Sequence, residues 1–355
     1  MKQVTIYDIA KEAKVSVATV SRVLNGTAPV KISTRAKIEA LIQKHQFQPN
    51  AMARSLLSKE TGIIGVILPD LTNPFFPEVF AGAEKEAQES GHTFLLCNTM
   101  GDYAKESEYL NIMQEKRVDG ILFIGGRINL KECEPDLVQE MVEHAKKIPM
   151  VLINGNLRDT ELTRVATDEY AGTMLAMRHL IELGHKRIGF IGGESHMTTT
   201  SNKLRAFRKS LRDAGLPVRE DWILPDSFSM ESGKQQMENL LEKKDRPTAV
   251  CCVNDFTAIG AIKTAIEHGL KVPDDMSIVG FDDIPLAHHV IPELTTVSQQ
   301  ASELGRTAMK VLRQLINKGK VKKLTSLEPQ LAVRQSTAPA MMPSYSESFR
   351  EISSG

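Results

Sequence analysis

The segment 16–25 carries residue types that suit a surface for reading nucleic acid. Residues one, four and five apart share one side of a helix. On this segment that side holds Val17, Ala18, Ser21, Arg22 and Asn25. An arginine donates two parallel hydrogen bonds to guanine, hydroxyls suit phosphates, and small apolar side chains contact a thymine methyl. No acidic side chain occurs from Val15 until Glu39, whereas a merely solvated helix usually mixes charges of both signs.

Two short helices and a tight turn are predicted to position this face. An apolar stripe at i, i+3, i+4 and i+7 follows Thr5, a candidate N-cap, and consists of Ile6, Ile9, Ala10 and Ala13. The turn is Lys14-Val15, and Ser16 can cap the second helix. A third amphipathic helix is predicted from Ser33 to His45. Small helical bundles of any function show such stripes, but this spacing is typical of a helix-turn-helix domain, here residues 1–48.

The charge of the chain is divided unevenly. The 355 residues carry no net charge and are 41% hydrophobic and 25% charged, which is ordinary for a globular protein of two or three units. Residues 1–60 contain ten Lys and Arg against four Asp and Glu, a net charge of +6, so the remainder carries −6. A basic head on an acidic body indicates a nucleic-acid-binding module joined to a part that does not bind DNA.

Several classes of protein are disfavoured. The cysteines, Cys97, Cys133, Cys251 and Cys252, lack metal-ligand or disulfide spacing, and the adjacent His288 and His289 have no surrounding ligand set. No phosphate-binding glycine loop or nucleophile elbow occurs, so neither an enzyme, a cofactor nor a metal is expected. The N-terminus lacks the apolar core of a signal peptide, and no apolar run is long enough for a membrane span. We therefore expect a cytoplasmic protein, associated with the nucleoid.

From residue 62 to residue 337 the pattern changes to short apolar runs that alternate with helices. The runs include GIIGVILPD, TFLLCNT, GILFIG, MVLIN, RIGFIGG, AVCCVND and MSIVGFDD. Continuous apolar strands between helices predict parallel sheets covered on both faces. There are too many such units for one sheet, so the α/β body is predicted to be two doubly wound lobes. The helices include predicted segments 203–214 and 301–317.

Two segments flank this body. In the linker 49–61, Pro49 ends the preceding helix and Asn50 can cap a short helix containing Ala53 and Leu56. Taken alone, this segment is equally consistent with a linker packed on the body and with a hinge that folds on DNA, where Leu56 would wedge between base steps. Residues 338–355 lack periodicity and are predicted to be a flexible tail. The tail has no leucine heptad, so tetramerisation through it is not expected.

The chain resembles the lactose-repressor/galactose-repressor family of bacterial transcription regulators from about residue 3 to residue 337. The resemblance rests on VTIYDIAKEAKVSVATVSRVLNG, PNAMARSLLS, GVILPDLTNPFF, HLIELGHKRIGFIGG, VNDFTAIGA, VPDDMSIVGFDDI and VRQST, in that order. It implies a helix-turn-helix head and a two-lobed, periplasmic-binding-protein-like core with a cleft between the lobes. It also implies a homodimer that binds double-stranded DNA at a near-palindromic operator, typically as a repressor.

The resemblance assigns roles in DNA binding residue by residue. Contacts with phosphates or with the groove border are implied for Thr5, Tyr7, Ser16, Thr19, Ser21 and Asn25. Base edges would be contacted by Val17, Ala18 and Arg22. The resemblance also favours the hinge interpretation, in which Asn50 caps the hinge helix and Leu56, with Ala53 beside it, enters the minor groove.

A second site is expected in the cleft, where the carboxyl ends of the strands meet. The stretches brought there are Asp70 to Phe75, Asn98, Asn154, Asn254-Asp255 and Asp282-Asp283. Asp and Asn beside aromatic walls suit a polyhydroxylated, sugar-like effector. The resemblance selects Asn73, Phe75, Lys203, Phe228, Asn254, Asp282 and Gln299. Alternatively, Asn254 and Asp282 could only cap helices, and one of Phe75 and Phe76 could belong to the core.

The sequence departs from the family at one point of this site. Many members have Arg-Leu-x-Gly-aromatic where this chain has Lys203-Leu204-Arg205-Ala206-Phe207. Lysine keeps the charge but loses the bidentate fork, so Lys203 is the first candidate for the effector contact and Arg205 the second. A further alternative is control by a protein co-regulator that docks on the segment from Val297 to Arg313, although no aromatic or Arg cluster there favours it.

Overall fold

The structure, a computed structural model, describes residues 4–25, 28–47 and 60–340, with only the backbone of Asn25. The chain forms two compact units that divide between Thr61 and Gly62. The predicted hinge residues Asn50, Ala53 and Leu56 lie outside the described residues, as does the tail from residue 341 onward. None of the helices in the described ranges combines the length and hydropathy that crossing a bilayer requires.

The head consists of three helices, α1 (Ile6–Ala13), α2 (Val17–Asn25) and α3 (Ile32–Lys44). Thr5 caps α1 as predicted, in a reciprocal capping box with Asp8. Lys14 takes a left-handed conformation at φ +57°, which ends α1 and makes the turn. Apolar residues from all three helices form the head core, namely Ile9, Ala10, Ala13, Val20, Val23 and Ile38.

The first lobe contains a six-stranded parallel sheet. Its strands are β1 (Ile63–Leu68), β2 (Thr93–Asn98), β3 (Gly120–Ile124), β4 (Met150–Ile153), β5 (Thr163–Thr167) and β11 (Leu324–Leu327), in the order β11-β5-β4-β3-β1-β2. Its helices are α4 (Phe75–Glu89), α5 (Tyr103–Glu115), α6 (Pro135–Lys147) and α11 (Ala301–Ile316). The central strands are buried on both faces, which explains their continuous apolar runs.

The second lobe repeats this plan. Its strands are β6 (Ile188–Ile191), β7 (Ile223–Leu224), β8 (Ala249–Cys252), β9 (Ser277–Asp282), β10 (Thr295–Ser298) and β12 (Gln330–Ala332), in the order β12-β10-β9-β8-β6-β7. Only the edge strand β12 is antiparallel. Its helices are α7 (Glu169–Glu182), α8 (Thr198–Asp213), α9 (Met230–Leu241) and α10 (Asp255–Glu267).

The chain passes between the two lobes at three places. It leaves the first lobe between β5 and α7, returns between β10 and α11, and crosses again between β11 and β12. The prediction of two doubly wound lobes is therefore confirmed. The crossovers bring the carboxyl ends of β5 and β10 together, and this places polar residues from both lobes at one junction.

Two boundaries differ from the sequence interpretation. The helix predicted for 203–214 begins at Thr198, because a polar first turn of three threonines gives no apolar signal. The start of the predicted tail is held by the second lobe: the Ala338 carbonyl accepts a hydrogen bond from His185 at 3.0 Å, and the Ala340 amide donates to Leu183. Residues 338–340 thus belong to the second lobe.

Candidate functional site

The head exposes several of the side chains predicted to meet DNA. Tyr7 is 71% exposed, and Ala18 and Arg22 are exposed one helical turn apart on α2. The Ser16 hydroxyl accepts from the Thr19 amide at 3.2 Å, so Ser16 caps α2 as predicted. This cap fixes the start of α2 and hence the direction in which Ala18 and Arg22 project.

The structure differs from the expectation at Val17. Its side chain is half-buried against the head core, whereas the helical wheel placed it wholly on the outer side. Ser21 is half-buried on the same helix, and the side chain of Asn25 lies outside the described residues. The exposed pair available for base edges is therefore Ala18 and Arg22.

In the body, a chain of hydrogen bonds connects the two lobes. Asn154, at the end of β4, donates from Nδ2 to Gln299 Oε1 at 2.8 Å, and its Oδ1 accepts from the Thr167 amide at 2.9 Å. Gln299, on the crossover after β10, donates from Nε2 to Asp282 Oδ1 at 2.6 Å. Polar side chains of both lobes thus meet through Gln299.

Lys203 lies beside this chain and is only 3% exposed. Its ammonium donates to the Val253 carbonyl at 2.8 Å, sits 3.7 Å from the centroid of the Phe281 ring, and is 3.9 Å from Glu169 Oε1. Glu169 also accepts a hydrogen bond from the Thr199 hydroxyl. Since an ammonium has three donors, Lys203 can give a hydrogen bond to a ligand without releasing the Val253 carbonyl.

The Asp282 carboxyl is electrostatically unusual. Burial raises its pKa to about 6, although Lys203 and the hydrogen bond from Gln299 oppose this by favouring the ionised form. Its backbone has φ +117°, and Asn154 has φ +50°. Non-glycine residues in such conformations cost about 1–3 kcal/mol each and cluster at functional sites, which supports this junction as a site.

Three of the predicted effector contacts have other roles in the structure. Asn254 caps α10: its Oδ1 accepts from the Thr257 amide, and its Nδ2 donates to the Phe228 carbonyl, both at 2.9 Å. Its amide is thus committed to the fold, as the helix-cap alternative anticipated. Phe228 packs partly on the second lobe's core, which leaves its ring half-buried.

Phe75 is the third of these residues and belongs to the hydrophobic core. It is 6% exposed and lies in a cluster with Ile284, at the contact between the lobes. Phe76 packs edge-on against it, with ring centroids 5.4 Å apart, and is half-buried. Phe76 is therefore the more exposed of the two rings, and Asn73 Oδ1 accepts a 3.1 Å hydrogen bond from the Phe75 amide at the start of α4.

Sequence reasoning missed Glu169 and misplaced Arg205. Glu169 is the first residue of α7 and follows a crossover between the lobes. Its position just after the carboxyl end of β5 could have identified it as a candidate site residue. Arg205 lies on the exposed side of α8, with its guanidinium 4.9 Å from the Tyr170 ring centroid, while Lys203 faces the lobe interior. The Asn98 Oδ1 is buried with no hydrogen-bond partner among the described residues, so it is a further polar atom at the end of a strand.

Comparison with known proteins agrees with both units. Residues 5–50 match the family of bacterial regulatory proteins, lacI family, and residues 177–337 match a periplasmic binding protein-like domain. The HTH-type transcriptional repressor PurR of Photobacterium profundum is 35% identical over 94% of this chain and 98% of its own length.

Two solved structures are similar throughout the regions they cover. The lac repressor dimer bound to operator and the anti-inducer ONPF has a TM-score of 0.84 at 28% identity, covering 95% of this chain and 100% of that one. A LacI family regulator from Enterococcus faecium with bound ribose has a TM-score of 0.69 at 30% identity, covering 79% and 100%. These relatives are transcriptional regulators and not enzymes. The chain belongs to the LacI family of DNA-binding bacterial transcriptional regulators.

Proposed function

We propose that this protein is a homodimeric repressor whose affinity for a near-palindromic operator is controlled by a sugar-like molecule bound between the two lobes. The observation that carries the proposal is the hydrogen-bond chain Asn154–Gln299–Asp282, with Lys203 beside it. It combines donors and acceptors from both lobes at one crossover. A ligand that exchanges these bonds has a different affinity for each lobe arrangement, which is what allosteric coupling requires.

The DNA-binding part of the proposal rests on the head. Arg22 and Ala18 project together from α2, and the segment that contains them has no acidic side chain. Their exposure leaves the guanidinium free to donate to guanine O6 and N7. Two such heads on a two-fold dimer would read two half-sites, with Asn50 capping each hinge helix and Leu56, with Ala53 beside it, entering the minor groove between them. Such a protein acts in the cytoplasm, where the chromosome lies.

The sugar-like class of the effector rests on the chemistry of the lobe junction. Asp282 and Glu169 accept hydrogen bonds, Lys203 donates them, and the Phe76 ring offers an apolar face for C–H groups. This mixture fits neighbouring hydroxyls on a ring. The relative with bound ribose shows that the family's scaffold holds such a ligand. We keep Asn73 and Phe228 at the edge of this site, as the resemblance implies, because part of each side chain stays exposed beside its structural contacts.

The DNA part is tested by fluorescence anisotropy at physiological salt. We expect the full-length protein to bind a palindromic operator selected from a random duplex library more tightly than a scrambled duplex. Arg22→Ala should cost about 1–3 kcal/mol of discrimination, confined to one base pair of each half-site. Lys37→Ala is the control because Lys37 is an exposed head cation outside the α2 face; it should weaken binding to all sequences alike. Equal affinity for selected and scrambled duplexes would refute the proposal.

The effector part is tested by a thermal-shift screen of pentoses, hexoses, uronates and their phosphates. A ligand at 100 times its dissociation constant stabilises the folded state by about 2.7 kcal/mol, a shift that is easily measured. The stabilising compound should then change the affinity for the operator. If every compound that stabilises the protein leaves the operator affinity unaltered, ligand binding does not control DNA binding and this part of the proposal is wrong.

A further inference from the structure

A cavity of about 830 Å³ lies beside the exposed side of α8, lined by Arg205 and apart from Lys203. Its volume falls within the roughly 300–1,000 Å³ of sites that bind small molecules. Five cationic side chains and two anionic ones line it, a net charge of +3. These are Lys131, Arg158, Arg205, Arg208 and Arg212, with Glu132 and Glu220. The body as a whole is acidic, so this concentration of positive charge is local.

The ion pairs within the cavity leave most of this charge uncompensated. Arg208 is paired with Glu220 through two bonds of 3.0 and 2.7 Å. Within the described ranges, the other four cations form no ion pair, and each is exposed. Arg205 is oriented by the Tyr170 ring. Clustered cations repel one another, and a bound anion removes that repulsion.

Both lobes build the cavity. Lys131 and Arg158 come from loops of the first lobe, and Arg205 comes from α8 of the second. The two sides are joined beside the cavity, because the Lys131 amide donates to the His196 carbonyl at 2.9 Å and the Thr198 hydroxyl donates to the Asn129 carbonyl at 3.0 Å. A ligand bound there contacts both lobes at once.

We propose that this cavity binds a small, multiply charged anion, a phosphate ester or a polycarboxylate, at a site separate from the sugar site at the lobe junction. The net charge of +3 matches a ligand with two or three negative charges. Arginine forks bind phosphate and carboxylate oxygens in pairs, and Ser195, Ser201 and Asn202 add polar hydrogen-bonding groups to the lining.

The test is isothermal titration calorimetry of the full-length protein at low salt, with inorganic pyrophosphate and citrate as probes. We expect saturable binding with one site per chain. Binding of pyrophosphate alone would show that the site prefers phosphate esters, and binding of citrate alone would show that it prefers polycarboxylates. Binding of both would show that the site selects multiply charged anions by their charge and not by their chemical group. If neither binds, the proposal is wrong.

Matched variants locate the anion. Lys131→Gln and Arg205→Gln should each weaken binding about tenfold, the loss of one or two charge-assisted hydrogen bonds. Lys209→Gln removes the same charge from α8, but Lys209 is paired with Asp213 at 2.8 Å and does not line the cavity. The affinity of this variant for the anion should therefore stay within about twofold of the wild-type value. If Lys209→Gln and Arg205→Gln lose the same affinity for the anion, the binding depends only on the total charge of the protein and the proposal is wrong.

A variant at the lobe junction separates this proposal from the proposed function. Asp282→Asn alters the junction, so it should change the thermal shift with sugars and leave the affinity for pyrophosphate unchanged. If Asp282→Asn abolishes anion binding while Lys131→Gln does not, the anion binds at the junction and the cavity is not its site. Failure of the sugar screen leaves this result unaffected.

Discussion

Two buried cations, Arg127 in the first lobe and Lys203 in the second, occupy similar depths and have very different partners. Arg127 is fully buried, and its guanidinium donates four hydrogen bonds, to two carboxylates, a hydroxyl and a backbone carbonyl. Lys203 is nearly as buried, yet its hydrogen bond goes to one backbone carbonyl, and its nearest carboxylate oxygen is 3.9 Å away.

The difference separates a structural network from a site. Arg127 lies in the 3₁₀ turn Gly126–Asn129 and its partners come from α5 and α6, so the network fixes one arrangement of these three elements. Satisfied buried networks are costly to break and have no capacity for a ligand. Around Lys203 the bonding is sparser, because its ammonium uses one of three donors on a protein oxygen, and the neighbouring polar side chains bond across the lobes. A sparsely bonded junction can exchange partners at low cost, as a switch must.

The largest effect is expected from Arg127→Met. Glu106 is 1% exposed, and burial already raises the pKa of its carboxyl, against the hydrogen bond from Arg127. Without the guanidinium, the buried carboxylate of Glu106 and the half-buried carboxylate of Glu140 lose their counter-charge. We expect a loss of about 3–5 kcal/mol in the free energy of unfolding at pH 7, measured by urea denaturation with circular dichroism.

Two further variants make this expectation specific. Lys146→Met removes an exposed cation that pairs with Glu143 at 2.7 Å, and it should change stability by less than about 0.5 kcal/mol. Adding Glu106→Gln to Arg127→Met removes one uncompensated charge and should recover part of the loss. A loss below about 1 kcal/mol in the single variant would mean that the network does not hold the lobe together.

A smaller, pH-dependent effect is expected from Asp282→Asn. The carboxyl has a pKa of about 6 in the folded protein against 3.8 as its ordinary value, because burial favours the neutral form. Between these two values the folded state binds more protons than the unfolded state, so Asp282 lowers stability as the pH rises through this window. The asparagine variant lacks this term and should gain on the order of 2–3 kcal/mol relative to wild type by pH 7.

The difference between wild type and variant must be measured at several pH values to isolate Asp282. Urea denaturation at pH 4, 5, 6 and 7 should show the variant's advantage growing from pH 4 to pH 6 and then levelling. Lys203 opposes the raised pKa, whereas Glu169 and Glu78 support it. A constant difference across this range would show that Asp282 stays ionised throughout.

Much of the fold could be predicted because the signals are local. Thr5 and Ser16 cap the first two head helices through hydrogen bonds to residues three positions along the chain. The strands that are buried on both faces are recognisable in the sequence as continuous apolar runs. The network around Arg127 could not be predicted, since it joins residues 106, 127 and 140 from separate elements. The final strands, β11 and β12, were missed because each is short and at a sheet edge.

The candidate site was predicted less completely than the fold. Residue type and position brought Asn154, Asp282 and Gln299 to one junction, because the ends of parallel strands converge. Sequence could not decide between Phe75 and Phe76, since adjacent residues on a helix differ only in direction and the lobe contact at Ile284 makes the choice. It also could not show that Arg205 belongs to a separate cationic cavity.

Among the variants of Arg127, Asp282 and Lys203, Lys203→Met is expected to change stability least and the response to the effector most. Methionine fills the space beside Phe281, while the Val253 carbonyl loses its donor and Asp282 can take up a proton. The net cost should be about 1 kcal/mol in the free energy of unfolding. The thermal shift given by the best sugar of the screen should fall by at least half, because the donor to its hydroxyls is gone. Lys203→Arg keeps the charge and should retain the shift. If Lys203→Met proves as destabilising as Arg127→Met and keeps the sugar response, then Lys203 is a structural cation and the contrast between the two lobes fails.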